Sequence, residues 1–306
     1  MRHGHFGPCL AREGDLGYKR GMKFPCFTLL LAILLLSAGP LRPDLPARED
    51  AAEEPEAPEL WFPVGEVLEY SVHWGVFFVA RSVATTEWVE HEGRRLIRIR
   101  FETRSRGILN RLYPVDDYIE SLIDPEGFLP VRFIKRLNEG SYSTDETTHF
   151  DWEAMEAHWS RMRRGELQEK TYALEPDTRD LVSFMYYMRS VPMEEGHSGA
   201  YRVIADEKIY DLQVDAPRTE RIDLEKYGKV SSLFIHPRAQ FEGLFVRKGE
   251  MQMWVSLDPR RVMTQLAVKV PVASVRIVLK EVRGPGNDAW ILNPIHLTDS
   301  QKDPPS

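Results

Sequence analysis

Ile97, Ile99 and Phe101 alternate with Arg98, Arg100 and Glu102. A period of two puts the apolar side chains on one face of a strand and the charges on the other, the mark of a sheet with one wet side. The same style runs through most of the chain from Trp61 onward. Val67–Trp74 and Val76–Val89 are aromatic and β-branched, separated by Gly75. Tyr118–Ile123 closes on the turn Asp124-Pro125-Glu126-Gly127, and Leu129–Leu137 follows it. Thr147–Trp152, His158–Met162, Val203–Val214, Lys229–Ile235, Met251–Leu257 and Val272–Val282 complete the strand signals. One stretch departs from this pattern. Asp180–Arg189 has apolar residues at 181, 184, 185 and 188, a helical spacing, with Asp180 placed to cap it and Pro192 to stop it. The pattern predicts a mostly β protein: a large antiparallel sheet, curved or barrel-like, with one central helix near 180–189 packed against it.

Ahead of the strands, Phe24–Ala38 is continuously apolar and only 15 residues long. A helix needs about 20 such residues to cross a bilayer core. With Lys23 before it and the small residues Ser37, Ala38 and Gly39 at its end, the run reads as a cleaved export signal, and Met22 as its natural start. Residues 1–39 are therefore assigned to an upstream extension and signal peptide. Residues 40–60, rich in Pro, Ala and Glu, form a tether that cannot repay the entropy of ordering. The folded domain is expected over 61–283, and a loose tail over 284–306. The two cysteines, Cys9 and Cys26, both precede the expected cleavage, so the exported domain relies on an ordinary core without disulfides. The predicted address is the periplasm or outer cell envelope. A formal charge of −7, from 40 basic and 47 acidic residues, argues against a nucleic-acid partner.

The chemistry-bearing residues form no catalytic signature. There is no G-x-S-x-G elbow, no phosphate loop and no HExxH helix. His149 and Asp151 share one strand face, but a metal needs a third ligand from elsewhere. Asp116 and Asp117 can divide acid and base roles only where burial and a neighbour separate them. No catalytic residue, metal or cofactor is assigned. Arg98 and Arg100 share a strand face within a local basic band, open to anionic lipid or polysaccharide or to cross-strand carboxylates. The aromatics are the better pointer to binding: Trp74, Phe78, Trp88, Tyr118, Phe133, Trp152 and Tyr186 are assigned to an apolar ligand surface, with the helix as its plug or lid.

Four stretches resemble the DUF3108 family of exported bacterial proteins: Phe62–Gly75 (FPVGEVLEYSVHWG), Arg179–Arg189 (RDLVSFMYYMR), Gly249–Arg261 and Val270–Lys280. The resemblance implies an antiparallel β-rich envelope domain and supplies no catalytic residues. The leading expectation is a non-enzymatic envelope protein that binds a lipid, glycan or protein partner, with possible peripheral membrane contact. A structural or assembly factor and a hydrolase of envelope polymers, using His149 and Asp151, are the alternatives.

Overall fold

A computed structural model describes residues 58–107, 109–163, 165–205, 208–239, 250–270 and 273–285. The signal, most of the tether, both cysteines and nearly all of the tail lie outside the described residues.

From Val67 the chain runs as a meander, each strand pairing antiparallel with the one before it. In order these are β1 (Val67–Trp74), β2 (Phe77–His91), β3 (Arg94–Ser105), β4 (Asp116–Asp124), β5 (Leu129–Glu139), β6 (Tyr142–Asp151), β7 (Glu156–Arg163) and β8 (Glu166–Ala173). A short helix, α1 (Leu109–Leu112), joins β3 to β4. After β8 come β9 (Arg179–Asp180) and the helix α2 (Leu181–Tyr187). A second meander follows: β10 (His197–Ala205), β11 (Lys208–Leu224), β12 (Gly228–Ala239), β13 (Glu250–Ser256), β14 (Met263–Val270) and β15 (Ala273–Arg283). β15 then pairs antiparallel with β1, so the first and last strands meet in the middle of one 15-stranded sheet whose ends are β8 and β9.

The curved or barrel-like sheet expected from the sequence is corrected here: the sheet is open and not strongly curled, and among the described residues no ladder joins β8 to β9. Both ends are built to stop pairing. β8 is an exposed strand carrying Glu166, Glu169 and Lys170, charges that blunt an edge. β9 has two residues, pairs parallel with β10, and turns at once into α2. The low apolar content of β8 also explains why strand patterning passed over it, and β14 was likewise not foreseen. The run Val203–Val214 is divided between β10 and β11.

The helix is where the spacing placed it. Asp180 is its cap, its carboxylate accepting from the Val182 and Ser183 amides at 2.7 and 3.0 Å. It is more enclosed than an amphipathic helix: Val182, Ser183, Phe184 and Tyr186 are all buried. Its side chains join one apolar cluster with Ile99 and Phe101 of β3, Ile119 of β4, Leu212 of β11 and Trp254 of β13. Burial of four of its seven residues and partial burial of the rest, rather than intrinsic propensity, make so short a helix stable.

Candidate functional site

Three of the stretches that resemble the family meet in the interior. Glu66 lies just ahead of β1, Arg189 just after α2, and Arg260 in the turn between β13 and β14. Arg189 grips the Glu66 carboxylate with both ends of its guanidinium, at 2.7 and 3.0 Å, and Arg260 adds a third bond at 2.5 Å. Arg189 Nε donates to the Arg260 carbonyl at 3.0 Å, and its guanidinium lies over the rings of Phe62 and Tyr186. Burial works to raise the Glu66 carboxyl, but the charge and hydrogen bonds of Arg189 outweigh it and hold the group below the usual carboxylate range. Trp61 adds a ring N–H to the Tyr186 carbonyl at 2.8 Å. The Glu66 carboxylate is bonded at both oxygens and the Glu66–Arg189 pair is almost wholly buried, so the knot fastens the start of the domain to α2 and to the β13–β14 turn.

Beside it, the void lined by Leu68, Tyr70, Met185 and Met263 holds about 20 Å³, room for one water and no ligand. A larger space opens on the opposite face of the sheet. It is a cleft of about 380 Å³ lined by Glu69, Tyr70 and Ser71 of β1, Phe78 and Arg81 of β2, Lys280 of β15, and Arg106 just beyond β3. Two irregularities shape it. Pairing passes from Glu69↔Glu281 to Tyr70↔Leu279, leaving Lys280 as the extra residue of a bulge in β15. It passes from Val72↔Ala80 to His73↔Phe78, leaving Val79 as the extra residue in β2. Bulges re-aim side chains, and here one directs Lys280 toward Glu69 while the other leaves Phe77 and Phe78 both exposed. The Val79 carbonyl accepts from the Arg106 amide at 3.2 Å, which brings Arg106 to the rim.

Glu69 is almost fully buried and takes Arg81, Lys280 at 3.3 Å and Arg283 at 3.7 Å. Burial raises its carboxyl, while bonds and charge from Arg81 and Lys280 bring it below its ordinary value. Arg106 is exposed and makes no ion pair among the described residues. The lining thus sets three cations against one carboxylate, an excess that favours an anion. At its mouth is the two-residue hairpin Gly75-Val76. Gly75 has φ 59°, the left-handed first position that such tight turns use. Past it Val76, Phe77 and Phe78 are 84%, 66% and 47% exposed.

The aromatics assigned from sequence do not come together in one pocket. Phe78 lines the cleft, and Trp74 ends β1 beside it. Tyr186 is buried in the knot. Trp88 lies under Arg95, Tyr118 donates to Glu120, Phe133 packs between two core clusters, and Trp152 donates to the Pro130 carbonyl at 2.8 Å. Arg98 meets Glu87 at 3.1 Å and Glu120 at 3.4 Å, and Arg100 meets Glu102 at 3.4 Å. Asp151 caps a turn by accepting from the Glu153 and Ala154 amides, and His149 pairs across the ladder with His158. Among the described residues no group of three His, Cys, Asp or Glu is placed to hold a metal. Asp116 is exposed and bound to Arg104 at 3.1 Å, while Asp117 is buried. Burial, with Glu139 adding to it, pushes the Asp117 carboxyl up to about 9, yet it lines none of the clefts described here. Arg106 belongs to the basic band read from the sequence, whereas Glu69, Arg81 and Lys280 escaped that reading because they come from three strands whose approach depends on two bulges. The unbroken apolar run after Gly75 was the one available signal.

The family described as "Protein of unknown function (DUF3108)" matches residues 69–280. The chain belongs to this family. The DUF3108 match runs from Glu69 to Lys280, the two residues that meet at 3.3 Å across the β1–β15 seam. The crystal structure of a beta-barrel-like protein of the domain DUF1849, from Brucella abortus, resembles this DUF3108 chain with a TM-score of 0.50 and 11% identity, over 72% of this chain and 98% of that one. At that identity the likeness concerns the fold alone. No curated protein matches the chain.

Proposed function

We propose that the protein is a non-catalytic binding protein of the cell envelope. In this reading it holds the anionic headgroup of a lipid in the β2–β1–β15 cleft while Val76, Phe77 and Phe78 enter the apolar layer. The observation that carries the reading is the adjacency of that exposed apolar tip to Arg81, Arg106 and Lys280. Magnitudes assign the parts different work. Burying a phenylalanine contributes about 1.5–3 kcal/mol, and a cation near an anionic surface about 1 kcal/mol. The tip therefore supplies most of the affinity, and the cations supply the choice of headgroup.

Co-sedimentation with lipid vesicles tests this. The protein is expected to partition onto phosphatidylglycerol vesicles and not onto phosphatidylcholine. Phe77→Ser should weaken partitioning at least tenfold and Lys280→Gln about threefold, with folding stability unchanged within about 0.5 kcal/mol because both side chains are exposed. Equal binding to both vesicle types, or binding indifferent to Phe77→Ser, sinks the proposal.

A further inference from the structure

A second cleft, of about 270 Å³, lies at the β9 end of the strand order, away from the central β2–β1–β15 cleft. Its walls include Asp177, Arg179, Tyr187, Tyr201 and Arg202. Arg179 is 5% exposed, yet among the described residues it forms no ion pair with a carboxylate. Its guanidinium lies 3.7 Å over the Tyr187 ring, Nη1 donates to the Asp177 carbonyl at 3.0 Å, and Nε has no partner. The described carboxylates nearby bond other groups. Asp180 caps α2 and accepts from Ser121 at 2.6 Å, while Asp211 and Glu175 both hold Arg202. Asp177 leaves its own side chain in solvent. A buried guanidinium without an anion is costly, and this one faces a cleft.

The backbone around the cleft is also incomplete. β9 pairs with β10 only at Val203 and Ile204. Immediately upstream, Glu175-Pro176-Asp177-Thr178 forms a turn, closed by the Thr178 amide on the Glu175 carbonyl at 3.2 Å, with Asp177 at φ 70°. Proline second and a left-handed residue third is the pattern of a type II turn, and it carries the chain off the sheet edge. Among the described residues, Ser198–Arg202 therefore pairs through its backbone with β11 alone. The cleft occupies the lane that a longer β9 would fill. Whatever enters that lane alongside β10 is stopped by β9 itself, and its end comes to rest at Arg179.

We infer that this lane receives the C-terminal strand of a partner protein, added parallel to Ser198–Arg202, with its terminal carboxylate bound by Arg179. The ladder supplies backbone hydrogen bonds, as in other strand additions, and the arginine fork reads the chain end. This site is distinct from the lipid-facing cleft, so either assignment stands or falls without the other.

The test exposes the immobilised full-length chain to a randomised octapeptide pool with free C-termini and to the same pool amidated. Retained peptides are identified by mass spectrometry, and their affinities are measured by fluorescence anisotropy. Free-acid peptides are expected to be retained. Amidation and Arg179→Met should each weaken binding at least tenfold, and N-methylation of alternate peptide amides should abolish it. That last control alters the peptide and leaves the protein's folding untouched. Equal retention of the amidated pool, or no retention of either, overturns the inference. Indifference to N-methylation, or inorganic phosphate binding as tightly as the peptides, marks a small-anion site and overturns it too.

Discussion

Arg179 and Arg189 lie on either side of the same seven-residue helix, both buried, and they are held in opposite ways. Arg189 has a carboxylate gripped at two points, a carbonyl on Nε and two aromatic rings beneath it. Arg179 has one carbonyl, one ring and an idle Nε. Equal burial therefore conceals unequal electrostatics. A satisfied buried cation is a fastener, whereas one without an anion is a fastener awaiting its other half.

The largest effect should come from breaking the fastened side. Arg189→Met removes two of the three bonds to the buried Glu66 carboxylate and leaves it with Arg260 alone, and urea unfolding should show a loss of about 3 kcal/mol. A loss below about 1 kcal/mol would remove the distinction between the two arginines. The Glu66 carboxyl sits below its ordinary value in the folded state. Its contribution is therefore present at neutral pH and disappears as pH falls through that lowered value, and the acid limb should vanish in Arg189→Met.

Asp117 sharpens the contrast, because an acid without a counter-charge can discard its charge where an arginine cannot. Its carboxyl is raised to about 9 when folded, against an ordinary value of 3.8. The folded state therefore holds the extra proton between those values, and stability from this group is full below pH about 4 and drains away as pH rises toward 9. Asp117→Asn should flatten that slope, raising the unfolding midpoint at pH 8 and the stability there by about 3 kcal/mol if half the nominal linkage is realised. A midpoint unchanged at pH 8 would show that the proton is not held.

The smallest stability change is expected at Arg179 itself. With no ion pair to lose, Arg179→Met should fall within about 1 kcal/mol of the parent or above it, since apolar replacement of a poorly compensated buried charge is often neutral or stabilising. A loss comparable to that of Arg189→Met would mean that the Tyr187 stack and the Asp177 carbonyl satisfy it fully, and the two sides would be alike.

Much of the architecture was legible in the chain. The alternation in Leu96–Glu102, the turn at Asp124–Gly127 and the cap at Asp180 each rest on neighbours within a few residues, and each recurs in the fold. The form of the sheet was less so: fifteen strands in a row look the same in sequence whether the ends meet or not, and what keeps them apart is the charge on β8 and the brevity of β9. The clefts were hardest to see. Lys280 and Val79 become extra residues only relative to partners about 200 and 7 positions away, a relation of register that composition does not carry. Arg179 and Arg189 look alike in sequence, because the difference lies in whether, among the described residues, a carboxylate such as Glu66 bonds the guanidinium directly.

The meeting of β1 and β15 has a consequence in time. The strand that opens the domain waits for the one that closes it, a contact of very long range whose entropy cost is met late in folding. Glu69 and Ser71 belong to the first, Lys280 to the last, so the cleft they share is absent from every partial chain. A nascent or truncated copy has the exposed apolar hairpin without Lys280, the cation that β15 adds to the cleft, so on the proposed reading headgroup selection is complete only once the last strand has docked.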